Sequence, residues 1–531
     1  MEITVTPFLW AMAFLPILAL LVLMVRFHWG ALEAAPVGVV MTSAAGVLFY
    51  GADLRLIAVE SAKGIWNALV ILMIVWTAVL MYQVGNEADA FSVIRDGMRR
   101  FLPNELLLIL AMGWIFESFL QGITGFGVPV AVGAPLLIGI GVKPLWAVII
   151  PLLGQSWGNT YGTLGAAWDA LMMTAGIAAE SREYYLTACF AAALLWIWNL
   201  VIGLAICWFY GRGKAIRKGI PAVLLLSAVQ GGGELILSQL NTTIACFVPV
   251  GISLLLVLLM GRICCYRQEW KIDDSCIMDR KEVEKRENRP AVKMTFLDAV
   301  LPYMLLSAVT LAVLIIPPLK TLLGKVSIGF AFPETVTGLG FTNEAVACFS
   351  PLTPFTHASM FLFVSSMLGL LYYKKRGWIA PGGCRKIFLR ALSMTMPSGT
   401  AVISLVIMSK IMAGTGQTMV LAGGIAGVLG RAYVIFAPFI GLLGSFMTGS
   451  NMSSNILFGG FQVATAGILG VDSACVLGAQ TAGGSIGSAV SPSNIVLGTT
   501  TAGILGREGE VLKRTSLMVI PAALLMGLLC V

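Results

Sequence analysis

Two groups of small polar side chains interrupt an otherwise apolar sequence. The first is Gln121, Gly122 and Thr124 in "FLQGITGFGVPVAVGAPLLIGIG" (residues 119–141), followed by Gln155, Ser156, Asn159 and Thr160. The second runs through "TGSNMSSN" as Thr448, Ser450, Asn451, Ser453, Ser454 and Asn455, and continues to Gln480, Thr481, Ser485, Ser488, Ser491, Ser493 and Asn494. Hydroxyls, amides and backbone N–H groups freed at helix ends suit a small anion such as a carboxylate. Each helix N-terminus contributes only about 0.3 to 1 kcal/mol, so several must converge to replace water around the charge. The same hydroxyls and carbonyls also suit Na⁺. Ionisable groups at membrane depth mark ion or proton paths by default. Glu117 stands one helical turn before Gln121 on the same face, which makes it the first candidate for proton coupling; Glu234 in "GGGEL", Asp169 and His357 in "TPFTHASMF" follow.

These residues need elements to hold them, and the composition says which kind. With 531 residues, 58% hydrophobic, 11% charged and a mean hydropathy of +0.91, the chain reads as an all-α polytopic membrane protein. About 20 apolar residues span a bilayer, and such runs recur along the whole chain. The first lacks a basic n-region and a cleavage signal, so it reads as a retained span. Glycine and proline weaken a helix, yet they concentrate in the quoted stretch; irregular backbone is tolerated at membrane depth only where it is packed in protein or lines a watery cavity. Residues 105–141 are therefore expected as a re-entrant hairpin with its tip at "GITGFG", and 145–175 as a broken helix. Further spans are expected at about 8–25, 35–51, 65–84, 186–209, 220–240, 242–260, 297–317, 355–373 and 386–413. A second hairpin at 431–469, a second broken helix at 472–503 and a last span at 515–531 complete twelve crossings. "ADAFSVIRDGMRRFL" reads as a surface helix.

On this map basic residues concentrate on the cytoplasmic side. Only Arg55, Lys63, Arg182, Lys320, Lys325, Lys410 and Arg431 fall outside. The chain divides into membrane halves 1–261 and 297–531, joined by a polar loop, 262–296, that is either a solvated connector or a regulatory contact. A repeat appears too: "FLQG" and "FMTG" open the two tips, and "GIGVKPLWAVIIPLLGQSWGN" parallels "GILGVDSACVLGAQTAGG". Their flanking spans run in opposite directions, and inverted repeats with interrupted helices mark a secondary transporter. Glycine for tight helix packing is the plainer alternative.

Other chemistries lack their parts. "GGSIG" (483–487) matches G-x-S-x-G but lacks the strand–turn–helix setting of a nucleophile elbow. Neither a P-loop nor an H-E-x-x-H motif occurs, which disfavours an ATP-driven pump or zinc protease. The ten cysteines show no C-x-x-C pair and read mostly as small buried packing residues. No enzyme activity, cofactor, metal or nucleic-acid partner is expected, and a homodimer is compatible with the reading.

At "FLQGITGFGVPVAVGAPLLIGIGVKPLWA", "FMTGSNMSSNILFGGFQVATAGILGV" and "GGSIGSAVSPSNIVLGTTTAGILGREGEVLKRT" the chain resembles the bacterial L-lactate permease family. The resemblance implies a multi-pass permease of the bacterial cytoplasmic membrane for L-lactate and related 2-hydroxy monocarboxylates such as glycolate, commonly driven by protons. The chain departs from the family at three charges. Members commonly read F-L-E-G and T-G-S-D at the tips, where this sequence has Gln121 and Asn451, and a frequent Lys is replaced by Ser488. Glu117 is the residue placed to restore the first carboxylate; otherwise coupling to Na⁺, or another small organic anion as substrate, is the alternative.

Overall fold

The computed structural model describes residues 5–279 and 294–531 except His28 and Phe126. The chain is mostly helical, and among the described residues nine helices are long and apolar enough to cross a membrane. Three shorter apolar helices, Val128–Gly139, Pro144–Ser156 and Phe247–Met260, lie among them. Starts are set locally: Asp53 and Ser181 accept from backbone N–H groups of the first turn, and Thr295 forms a capping box with Asp298. Proline occupies the first turn of three helices, as Pro129, Pro144 and Pro492, where its missing N–H is not needed.

The helices sort by burial. In the span Glu105–Ile123 the whole apolar window is buried, whereas in Pro7–Met24 only 22% is. The peripheral helices therefore present apolar surface outward, and the polar groups named above lie in the enclosed centre. One order of elements occurs twice there. A helical hairpin (Glu105–Ile123, with a π-helical turn at Ala111–Ile115, then Val128–Gly139) precedes a broken helix (Pro144–Ser156, then Gly162–Ala175). The second copy is Tyr433–Thr448 and Asn451–Leu469, then Ser473–Gly487 and Pro492–Thr501.

Several sequence expectations need correction. The chain is not purely α: Ile328–Phe332 pairs antiparallel with Val346–Leu352, and Thr335–Val336 with Thr342–Asn343. This β segment is anchored through Trp66 Nε1 to Ser350 O (3.0 Å), Gly338 N to Gly51 O (2.7 Å) and Asn343 Nδ2 to Gly414 O (2.8 Å). A helix at Gln417–Leu429, short and glycine-rich, precedes the second hairpin where none was expected. The spans expected at 186–209 and 220–240 are two helices that meet directly, without an intervening loop, at a kink at Gly211 and Arg212.

Of the polar loop, 280–293 lies outside the described residues, but its first part is docked rather than solvated. Glu105 N donates to Trp270 O (3.1 Å), Lys143 N to Ile277 O (2.8 Å), and Ile277 is fully buried. Nor are the cysteines mostly buried: Cys207, Cys246 and Cys475 are, whereas Cys189, Cys265, Cys276 and Cys348 are exposed.

Candidate functional site

Each hairpin turns on glycine. Thr124 Oγ1 folds back to Leu120 O (2.8 Å), closing the first arm, and Gly125 (φ 62°) and Gly127 (φ 79°) then reverse the chain. A β-carbon on Gly125 would overlap Thr163 Oγ1, so the tip presses on the break of the following helix. At that break Thr163, Leu164 and Gly165 all take left-handed φ, of 51°, 51° and 88°. Such a conformation costs an L-residue roughly 1–2 kcal/mol and persists where the surroundings hold it. The second tip turns at Gly449 (φ 77°), and Ser450 caps the next helix. The second broken helix parts at a 3₁₀ turn, Ser488–Val490, before extended Ser491.

The two polar groups form a single site. Asn451 Nδ2 donates to Thr160 Oγ1 and Thr481 Oγ1, both at 3.2 Å, while Thr160 and Thr481 share a hydrogen bond of 3.0 Å. Asn455 Nδ2 adds bonds to Thr481 Oγ1 (2.9 Å) and Ala167 O (3.0 Å). The two breaks are joined by Asn159, whose Nδ2 donates to Ser488 Oγ (2.8 Å) and Ser485 O (3.1 Å), and whose backbone N–H donates to Ser485 Oγ (3.2 Å). Asn494 Nδ2 ties the second break to the second tip at Gly449 O (3.1 Å).

Between them lies a small cavity, with about 30 Å³ reachable by the centre of a water molecule. That suffices for about two waters. Gln121, Gln155, Asn159, Ser450, Asn451, Ser488 and Asn494 line it, and among the described residues no charged side chain does. Gln155 Oε1 is buried with no hydrogen-bond partner among the described residues.

The remaining expected residues stand behind this wall. Thr160, Thr481 and Asn455 hold Asn451 and one another. Ser156 Oγ accepts from Trp198 Nε1 (2.8 Å), and Ser485 Oγ donates to Ser156 O (2.6 Å). Thr448 and Ser454 donate to the backbone carbonyls of Gly444 (2.8 Å) and Gly441 (2.7 Å), and Gln480 Nε2 reaches Ser454 Oγ (3.2 Å). Ser453 N is capped by Ser450 Oγ (3.5 Å), and Ser491 and Ser493 share a hydrogen bond (2.9 Å). Gly122 packs against the backbone of Phe247. "GGSIG" is a packing seam: Gly483 and Gly487 leave room for the carbonyls of Pro438 and Leu442.

Glu117 and Glu234 are both fully buried; among the described residues the Glu117 carboxylate has no hydrogen-bond partner, whereas Glu234 has the Cys246 thiol against it, and each follows a π-helical turn. Such turns are rare and recur at functional sites. Neither lines the cavity. Glu234 lies beside Cys246, whose Sγ would be 3.0 Å from a β-carbon on Gly158 in the first break. His357 stands at the start of the helix Ala358–Lys375, does not line the cavity and shares a hydrogen bond with Ser359 (2.8 Å). Thr163, Met452, Ala166 and Ala167 also line the cavity and escaped the sequence reading. Only Thr163 carried a signal, its place between Gly162 and Gly165.

Membrane-length helices around a small polar cavity, walled by interrupted helices, make a multi-pass membrane protein of the transporter class. The chain belongs to the L-lactate permease family, whose profile matches residues 10–531, and it is a transporter rather than an enzyme. It is 26% identical over 522 residues to an L-lactate permease of Halalkalibacterium halodurans, covering 95% of this chain and 92% of that protein. An L-lactate permease of Escherichia coli K12 is 27% identical over 531 residues, with the same coverages of 95% and 92%. A glycolate permease of the same strain is 26% identical over 481 residues, covering 85% of this chain and 82% of that protein.

Proposed function

We propose that the protein takes up L-lactate, or a related small 2-hydroxy monocarboxylate such as glycolate, by proton symport across the bacterial cytoplasmic membrane. On this reading the chain makes twelve crossings in two inverted repeats, 1–261 and 297–531, joined by the loop 262–296. The hairpins are re-entrant, and their tips meet the broken helices at the substrate. The observation that carries the proposal is the convergence of both tips and both breaks on one neutral cavity, fixed by the bonds from Asn451 to Thr160 and from Asn159 to Ser488.

The chemistry of the lining fits a hydroxy acid, and the cavity, which holds about two waters in this conformation, must widen to admit the acid. Amide N–H groups and helix starts at Val128, Asn451 and Pro492 supply donors for a carboxylate without a cation. Gln155 Oε1, buried and lacking a donor, suits the 2-hydroxyl. A site built to bond a hydroxyl rejects the analogue without it, because its own polar group is then left unpaired. The names of the relatives, lactate and glycolate permeases, agree with that substrate class. Glu117 is the favoured proton carrier, with Glu234 second and His357 third.

The unpartnered Gln155 oxygen also favours a second reading, a Na⁺-coupled carrier of another small organic anion on the same fold. Labelled L-lactate uptake into proteoliposomes separates the two. Accumulation driven by an imposed pH gradient, blocked by glycolate and not by propionate, is expected. Uptake that needs a Na⁺ gradient instead would replace the first reading with the second.

A further inference from the structure

The helical stretch Arg182–Ser227 breaks at an elbow, where Gly211 (φ −164°) and Arg212 (φ 49°) leave helical geometry. A left-handed arginine is costly and needs bracing. The docked part of the polar loop supplies it. Ile272 N donates to Tyr210 Oη (3.0 Å), Ser275 Oγ to Tyr210 O (2.7 Å) and Cys276 Sγ to Phe209 O (3.3 Å).

Between elbow and loop the structure leaves a cavity of about 720 Å³, far larger than the central one. Arg212, Lys214 and Arg217 line it, opposed by one acidic side chain, Asp274. All three cations are exposed, and among the described residues none forms an ion pair with a carboxylate. Both arms of the elbow expose apolar surface. Trp208, whose ring lies 5.6 Å from the Arg212 guanidinium, is 48% exposed; Ile197 and Val201 before the elbow and Ile220, Leu224 and Leu225 after it are exposed too. Cations at one level with exposed aliphatic side chains running from it match the two parts of a lipid, headgroup and acyl chain.

We propose that this elbow binds an anionic phospholipid of the inner leaflet. Arg212, Lys214 and Arg217 hold the phosphodiester, and the acyl chains lie along the flanking helix arms. The inward placement follows from the charge map, in which "GRGKAIRKG" faces the cytoplasm. The site is independent of substrate and coupling ion. It also has a route to the transport machinery, because the bracing segment holds the foot of the first broken helix: Lys143 N donates to Ile277 O and Lys143 Nζ to Cys276 O, both at 2.8 Å. Lipid bound at the elbow would stiffen that support.

The test uses the full-length protein in phosphatidylcholine nanodiscs with and without phosphatidylglycerol. Cationic side chains near an anionic lipid surface contribute about fivefold each in binding. Arg212→Gln/Lys214→Gln/Arg217→Gln should therefore retain at least tenfold less phosphatidylglycerol by native mass spectrometry, while Arg212→Lys/Arg217→Lys retains it. Cys276, exposed in the same cavity, gives the second readout. Phosphatidylglycerol should slow its maleimide labelling in the wild type and not in the triple Gln variant. Equal lipid retention by the triple Gln variant and the wild type would overturn the proposal. So would protection of Cys276 by inorganic phosphate alone as strong as that given by the lipid.

Discussion

Glu117 and Gly133 are mutually fitted: the carboxylate of the first hairpin arm occupies the space that a side chain on the second arm would need. A β-carbon on Gly133 would overlap Glu117 Oε1, and both residues are buried. Gly133→Ala should therefore destabilise the protein by about 1 to 3 kcal/mol, the usual cost of overpacking. Adding Glu117→Ala should return much of that loss, since neighbouring substitutions sharing one space are not additive. Thermal unfolding of the two single variants and the double variant measures the coupling; strict additivity would mean that the carboxylate does not occupy that space.

Glu117→Gln keeps the shape and removes the titrating group. If Glu117 carries the coupled proton, the variant should lose accumulation driven by a pH gradient while keeping lactate exchange between equal concentrations inside and outside. Exchange needs the substrate site but no net proton movement. Full gradient-driven accumulation by the variant would pass the role to Glu234.

The turns of this site and the meeting of its two halves are legible in the sequence; the individual contacts that join them are not. Gly125, Gly127 and Gly449 mark both tips because each adopts a left-handed φ that other residues resist. Yet Asn451 meets Thr160 across 291 positions, and no local pattern announces such a pairing. That separation is why the sequence shows two separate constellations, and only the paired hairpins and broken helices suggest that they meet. The helix Gln417–Leu429 was invisible for another reason: at 13 residues it falls short of a span and is rich in glycine. The strands Ile328–Phe332 and Val346–Leu352 are largely exposed, so they lack the apolar alternation that reveals a half-buried strand.

Asn451 is the hub of the cavity wall, and removing its amide breaks two hydrogen bonds at once. At about 0.5–1.5 kcal/mol each, Asn451→Ala should raise the KM for lactate by roughly tenfold. Thr481→Val, which removes the hydroxyl shared by Asn451, Asn455 and Thr160, should act in the same direction. Initial uptake rates over a range of lactate concentrations test this. An unchanged KM in both variants would place the substrate elsewhere.

A buried ion pair lies outside the cavity, Lys63 Nζ to Glu60 Oε1 at 2.6 Å, with the Phe332 and Phe349 rings of the β segment 5.9 Å from the ammonium. Breaking such a pair leaves an uncompensated buried charge and costs about 3–5 kcal/mol, whereas replacing both partners with apolar residues is often neutral. Glu60→Ala should therefore lower the unfolding midpoint sharply. Glu60→Met/Lys63→Met should restore it. Equal midpoints for the two variants would show that the charge pair is not the source of the effect.

Asn451→Asp places a carboxyl in this chain's neutral cavity. The carboxylate could accept from the Thr160 and Thr481 hydroxyls, which now receive the Asn451 amide. When ionised it would repel an anionic substrate in a cavity lined by no cation among the described residues; when protonated it would not. Lactate exchange by the variant should therefore be closest to wild type at the acid end of the pH range and fall as pH rises through the pKa of the new carboxyl. Exchange without an imposed gradient isolates this effect from the driving force. The same pH profile in variant and wild type would mean that the bound anion does not approach residue 451.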